Sequence, residues 1–114
     1  QQGFKHGKYM AKKRGIRLRI SCQRVEALLE ICDEMLEEFR PQNDHQYLLR
    51  EYMIELQHKL RDMLRKNQEM YMLVLVGAEA VAFYQLWGMM DIRNDKYATL
   101  IVDNLIEKMS SLAA

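Results

Sequence analysis

The chain has 114 residues, 49% of them hydrophobic and 29% charged, with one proline and five glycines. That length suits one core and excludes two independently folded units, while so little Pro and Gly disfavours a turn-rich all-β fold and favours long helices. The net charge of +1 conceals an asymmetry: Lys5, Lys8, Lys12, Lys13, Arg14, Arg17, Arg19 and Arg24 put +8 into residues 1–24 with no acidic residue, which leaves −7 for the rest.

Residues 1–14 are polar and basic, punctuated by Gly3 and Gly7, and read as a flexible arm ahead of a single helical domain over residues 15–114. Met10-Ala11-Lys12-Lys13 looks like a translation start, which makes residues 1–9 either native or an added extension. A basic arm on an acidic body is a pattern for nucleic-acid contact, because neutralising phosphates releases counterions and needs no exact geometry. The competing reading is an arm that folds back onto the acidic helices of its own chain. No apolar stretch with a small-residue cleavage site follows the basic start, so a secretory leader is not expected.

Ile16, Leu18 and Ile20 alternate with Arg17, Arg19 and Ser21, the period of a half-buried strand with a basic outer face. Ser21 is placed to cap a helix whose apolar residues Val25, Leu28, Leu29, Cys32, Met35, Leu36 and Phe39 recur every three or four positions, with Glu26, Glu30, Asp33, Glu34, Glu37 and Glu38 on the other faces. Pro41 ends it. Asn43, with Gln46 three residues on, opens a second helix with the stripe Leu49, Tyr52, Met53, Leu56, Leu60, Met63 and Leu64. Glu55 and Lys59 stand in the favourable i, i+4 order on its outer face.

After the polar link Lys66 to Glu69, Tyr71 to Val76 reads as a second strand, apolar on both faces as expected of a strand covered on both sides. A helix from Ala78, nearly apolar all round through Val81, Phe83, Tyr84, Leu86 and Trp87, should be central in the bundle. One continuous helix from Glu69 to Met90 is the alternative. Asn94 then caps a last helix carrying Tyr97, Leu100, Ile101, Leu105, Ile106, Met109 and Leu112. Met70 to Trp87 is the one stretch apolar enough to be considered for a membrane, but it contains Gly77, Glu79 and Gln85. A charge near a bilayer centre costs about 3 kcal/mol, so no membrane association is expected.

These elements make two strand-helix-helix pseudo-repeats, 15–67 and 70–113. The expected fold is mainly α: a four-helix bundle-like domain with a small two-stranded β ribbon, its strands parallel or locally paired. The copies differ most in charge, since the second offers Met72, Val74 and Val76 where the first shows Arg17 and Arg19.

Little in the chain looks catalytic. His6, His45 and His58 do not cluster with other ligands, and His58 with Asp62 at i, i+4 reads as a surface contact rather than a metal site. Cys22 and Cys32 would lie about 15 Å apart along one helix, too far for a disulfide, and free thiols fit a reducing, cytoplasmic setting. Cys22 sits near a helix N-terminus beside Arg24, which lowers a thiol pKa, but no histidine is placed as its base. Glycine-rich phosphate loops are absent. The nine methionines fall mostly on core stripes and read as core filling. The expectation is a non-enzymatic protein without metal or cofactor.

The Arg-Leu-Arg-Ile-Ser strand ahead of two helices resembles the ribbon-helix-helix DNA-binding family over residues 15–65. The resemblance implies an antiparallel ribbon in the major groove, with Arg17, Arg19 and Ser21 reading bases and the turn Asn43, Asp44, His45 near the backbone. Arginine to guanine is the commonest specific contact in that groove. The functional expectation is a small bacterial or mobile-element nucleic-acid-binding protein, such as a transcriptional regulator, contacting its target through Lys12, Lys13, Arg14, Arg17, Arg19 and Ser21. The alternative is a helical scaffold or oligomerisation module that presents Met72, Val74, Trp87 and Met89 to a partner or a second copy.

Overall fold

A computed structural model describes residues 16–90 together with the helical backbone of Asp103, Asn104 and Glu107. Five elements follow in order: β1 (Ile16–Ser21), α1 (Cys22–Glu38), α2 (Asp44–Arg65), β2 (Met70–Leu75) and α3 (Gly77–Met89). The described residues thus form a mainly helical fold of three helices and a two-stranded antiparallel sheet. This corrects the four-helix bundle expected from the sequence. The helix expected from Asn94 lies outside the described residues, apart from those three positions, so the strand-helix-helix repeat is seen complete only once. The arm, residues 1–14, also lies outside them.

Local signals set the element ends. Ser21 is the N-cap of α1, its Oγ accepting from Arg24 N at 3.3 Å. Asn43 caps α2, its Oδ1 accepting from Gln46 N at 2.9 Å, while the Gln46 side chain reaches back to accept from Gln42 N at 2.7 Å. The reciprocal bond is therefore that of a capping box shifted by one residue. Helix α2 ends with Asn67 at φ 53°, the left-handed conformation that asparagine tolerates better than most non-glycine residues. Lys66 N and Asn67 N return to the carbonyls of Met63 and Leu64 and close the last turn.

The antiparallel sense follows from the number of helices between the strands. At 1.5 Å per residue, α1 carries the chain about 25 Å away from Ser21 and α2 brings it back. The short link then starts β2 where β1 stopped, and Ser21 pairs with Met70. The link also satisfies its own polar groups, with Gln68 N donating to the buried Tyr71 hydroxyl at 2.9 Å.

One side of the sheet and three helices enclose the core. Ile16, Ile20, Tyr71, Leu73 and Leu75 point inward to meet Val25, Leu28, Ile31, Cys32 and Met35 of α1, Leu49, Met53, Leu56 and Leu60 of α2, and Ala80, Ala82, Phe83 and Leu86 of α3. Helix α2 packs against both α1 and α3 and is the central helix. The apolar helix α3 is not: it leaves Val81, Tyr84 and Met89 about half exposed. Within the described residues no helix is long and apolar enough to cross a membrane.

Candidate functional site

Strand β2 alternates exposed and buried from Met70 to Leu75, although its residues are apolar throughout. The sequence reading of a strand covered on both sides is therefore corrected: Met70, Met72 and Val74 are 44%, 58% and 38% exposed. They share their face with the exposed Arg17 and Arg19 and the half-buried Ser21 of β1. The register sets Arg17 opposite Val74, Arg19 opposite Met72 and Ser21 opposite Met70. Arg17 and Arg19 of the expected basic site and Met72 and Val74 of the expected partner interface thus share a single face.

The ladder fixes how closely these pairs sit. Cys22 N donates to Glu69 O at 2.9 Å, which makes 22 and 69 a hydrogen-bonded pair. By the antiparallel alternation, the inward pairs 20/71, 18/73 and 16/75 are hydrogen-bonded as well. The outward pairs 17/74, 19/72 and 21/70 are of the closer type, with Cα atoms about 4.5 Å apart. Each guanidinium stem therefore rises directly beside an apolar side chain, and the face carries two cations and no carboxylate.

A polar latch holds the far end of this ribbon. Lys59, on α2, donates from Nζ to Val74 O at 2.8 Å and to Glu79 Oε1 at 2.5 Å. The same Glu79 oxygen accepts from Val76 N at 3.1 Å, serving the N-terminus of α3 where Val76 has no side-chain acceptor. Glu79 is the one buried charged residue among those described, at 2% exposure. Lys59 was expected to pair with Glu55 on its own helix; instead it joins α2 to β2 and α3. Beside it lies an open depression of about 560 Å³ lined by Glu55, His58, Lys59, Asp62, Met63, Lys66 and Glu79, three of them acidic and three cationic or imidazole. Among the described residues no three His, Cys, Asp or Glu side chains come together to hold a metal.

The other expected site residues fall elsewhere. Trp87 is half-buried and stacked on Phe83, ring centroids 6.4 Å apart and planes within 5°. Met89 is exposed at the last residue of α3. His45 Nε2 meets Gln85 Oε1 at 3.2 Å, which ties the Asn43–His45 turn to α3. Lys12, Lys13 and Arg14 lie outside the described residues. Both cysteines are free, Cys22 half-buried and Cys32 buried. Burial, and then the neighbouring Asp33 carboxylate, push the Cys32 thiol well above its ordinary range. Sequence reasoning missed the Glu79 latch and the exposure of Met70. The signal for Glu79 was its isolation as the sole charge in an otherwise apolar helix.

No protein-family model matches the chain, and neither curated proteins nor solved structures gave a significant match.

Proposed function

We propose that this is a small, non-enzymatic nucleic-acid-binding protein that meets its ligand with the outer face of the β ribbon and with the basic segment preceding it. The observation that carries this reading is the composition of that face: Arg17 and Arg19 exposed side by side on β1, with no acidic residue on either strand's outward positions. Charge around the ribbon supports the same reading. Arg24 stands in the first turn of α1, which contains no acidic residue, and a cation at the positive end of a helix raises the local potential further. Lys12, Lys13 and Arg14 immediately precede β1 in sequence and add to the basic character of this end of the chain. The carboxylates of α1, with Glu26, Glu30, Glu37 and Glu38 exposed, belong to a different element. Two free cysteines suit a reducing, cytoplasmic setting.

Fluorescence anisotropy against a labelled DNA duplex at several salt concentrations tests this. Affinity should fall steeply with salt, by a logarithmic slope of about 0.9 per phosphate neutralised. Replacing Arg17 and Arg19 together by Ala should weaken binding by about thirtyfold or more, at roughly 1 kcal/mol or more for each arginine. Binding that is insensitive to that double change, or absent at low salt, refutes the reading. A second reading, a protein-interaction module, is favoured by the uncharged exposed residues Val81, Tyr84 and Met89 on α3. Sedimentation showing a concentration-dependent dimer that Tyr84→Lys abolishes would support it.

A further inference from the structure

We propose that Met72 and Val74 read thymine methyl groups beside the two arginine positions, which makes B-form duplex DNA, rather than RNA or a single strand, the ligand of the ribbon face. The inference rests on the nucleic-acid reading above and adds the class of ligand and the residues that select it. Its starting point is the register. Arg19 and Met72 form one close outward pair and Arg17 and Val74 the next, so each cation has an apolar side chain at its shoulder.

Shape argues for a duplex of B form. A major groove about 12 Å wide admits a two-stranded ribbon. The major groove of an RNA helix is too deep and narrow for side chains to read. Residues two apart on one face of a strand are separated by about 6.8 Å, close to two base-pair steps of about 3.4 Å. Arg17 and Arg19 therefore address base pairs two steps apart, and Val74 and Met72 lie alongside them.

Chemistry argues against a single strand. Proteins that hold unpaired bases stack them on aromatic rings. The six outward positions of this ribbon contain no aromatic residue, because Tyr71 turns into the core, where its hydroxyl is bonded by Gln68 N. Thioether and isopropyl groups have no donor and at most a weak acceptor to offer a base edge. The apolar feature of the major groove is the C5 methyl of thymine, next to the guanine N7 and O6 that an arginine takes. Met72 and Val74 are exposed enough to reach such a methyl, and burying one methyl is worth about a fourfold change in affinity.

The test uses the full chain and four labelled probes of the same length: an alternating d(GT)·d(AC) duplex, the same duplex with uracil in place of every thymine, the corresponding RNA duplex, and the d(GT) strand alone. The thymine duplex should bind at least threefold more tightly than its uracil form, and more tightly than the RNA duplex or the single strand. The Met72→Ala, Val74→Ala double variant should lose the thymine preference. Met72→Gln, at the more exposed of the two positions, gives a second and milder variant whose preference should shrink. Equal affinity for the thymine and uracil duplexes, with Arg17 and Arg19 still required, overturns methyl reading while leaving the nucleic-acid reading intact. Tighter binding of RNA or of the single strand overturns the choice of ligand. No binding to any of the four overturns both.

Discussion

Replacing Lys59 by Met removes the cation that faces a buried carboxylate, and the structure sets the size of the effect. The Glu79 side chain is 3% exposed and would keep a single donor, Val76 N, while losing its counter-charge. An uncompensated buried charge of this kind costs about 3 to 5 kcal/mol. The lower end applies here, since the Lys59 side chain is itself 32% exposed and its charge is partly screened by water in the native state. The reverse change, Glu79→Ala, strands a lysine that still reaches solvent and Val74 O, and removes one helix-capping acceptor, for about 2 kcal/mol. The order of the two single changes is therefore the diagnostic quantity. Combining Lys59→Met with Glu79→Leu removes both charges and should recover most of the loss. Urea unfolding followed by far-UV circular dichroism at neutral pH measures all three. A Lys59→Met variant less destabilised than Glu79→Ala, or a double variant no more stable than Lys59→Met alone, would refute the assignment of this pair as the latch between α2, β2 and α3.

Three further outcomes follow from single residues. In the native protein a disulfide-exchange reagent should label Cys22 and spare the fully buried Cys32 until the chain unfolds. Because the folded thiol of Cys32 ionises at higher pH than the unfolded one, its contribution is complete at neutral pH and is lost as pH rises beyond about 8.5, by up to about 1.4 kcal/mol per unit; Cys32→Ala should flatten that decline in alkaline denaturation curves. Asn43→Ala leaves Gln46 N without its acceptor and should cost about 1 kcal/mol in thermal unfolding, and an unchanged midpoint would count against the cap.

What was legible in the sequence was local. Ser21 and Asn43 announce helix starts because their side chains bond to backbone three residues on, and Pro41 marks a stop for steric reasons. Strand β1 was legible because its chemistry alternates along with its burial. Strand β2 was placed within one residue, but its environment was misjudged, since Met70, Met72 and Val74 are apolar and yet exposed. The same equation of apolar with covered put α3 in the centre, a position that α2 occupies despite its charged outer face. The Lys59–Glu79 bond joins residues twenty apart in the chain, which helix periodicity cannot foresee. The basic half of the candidate site could be read from Arg17 and Arg19. Its apolar half needed the register, because only the pairing of 19 with 72 and 17 with 74 puts the two on one face.

The central claim is that the ribbon face is where the ligand binds, and the methionines report on it directly. With the Met methyl groups carbon-13 labelled, titration with the d(GT)·d(AC) duplex should move the signals of Met70 and Met72 on the outer face. Those of the buried Met35 and Met53, and of Met89 at the end of α3, should stay in place. A shift of Met89 with Met70 and Met72 unmoved would contradict the account and place the contact on the helical surface instead.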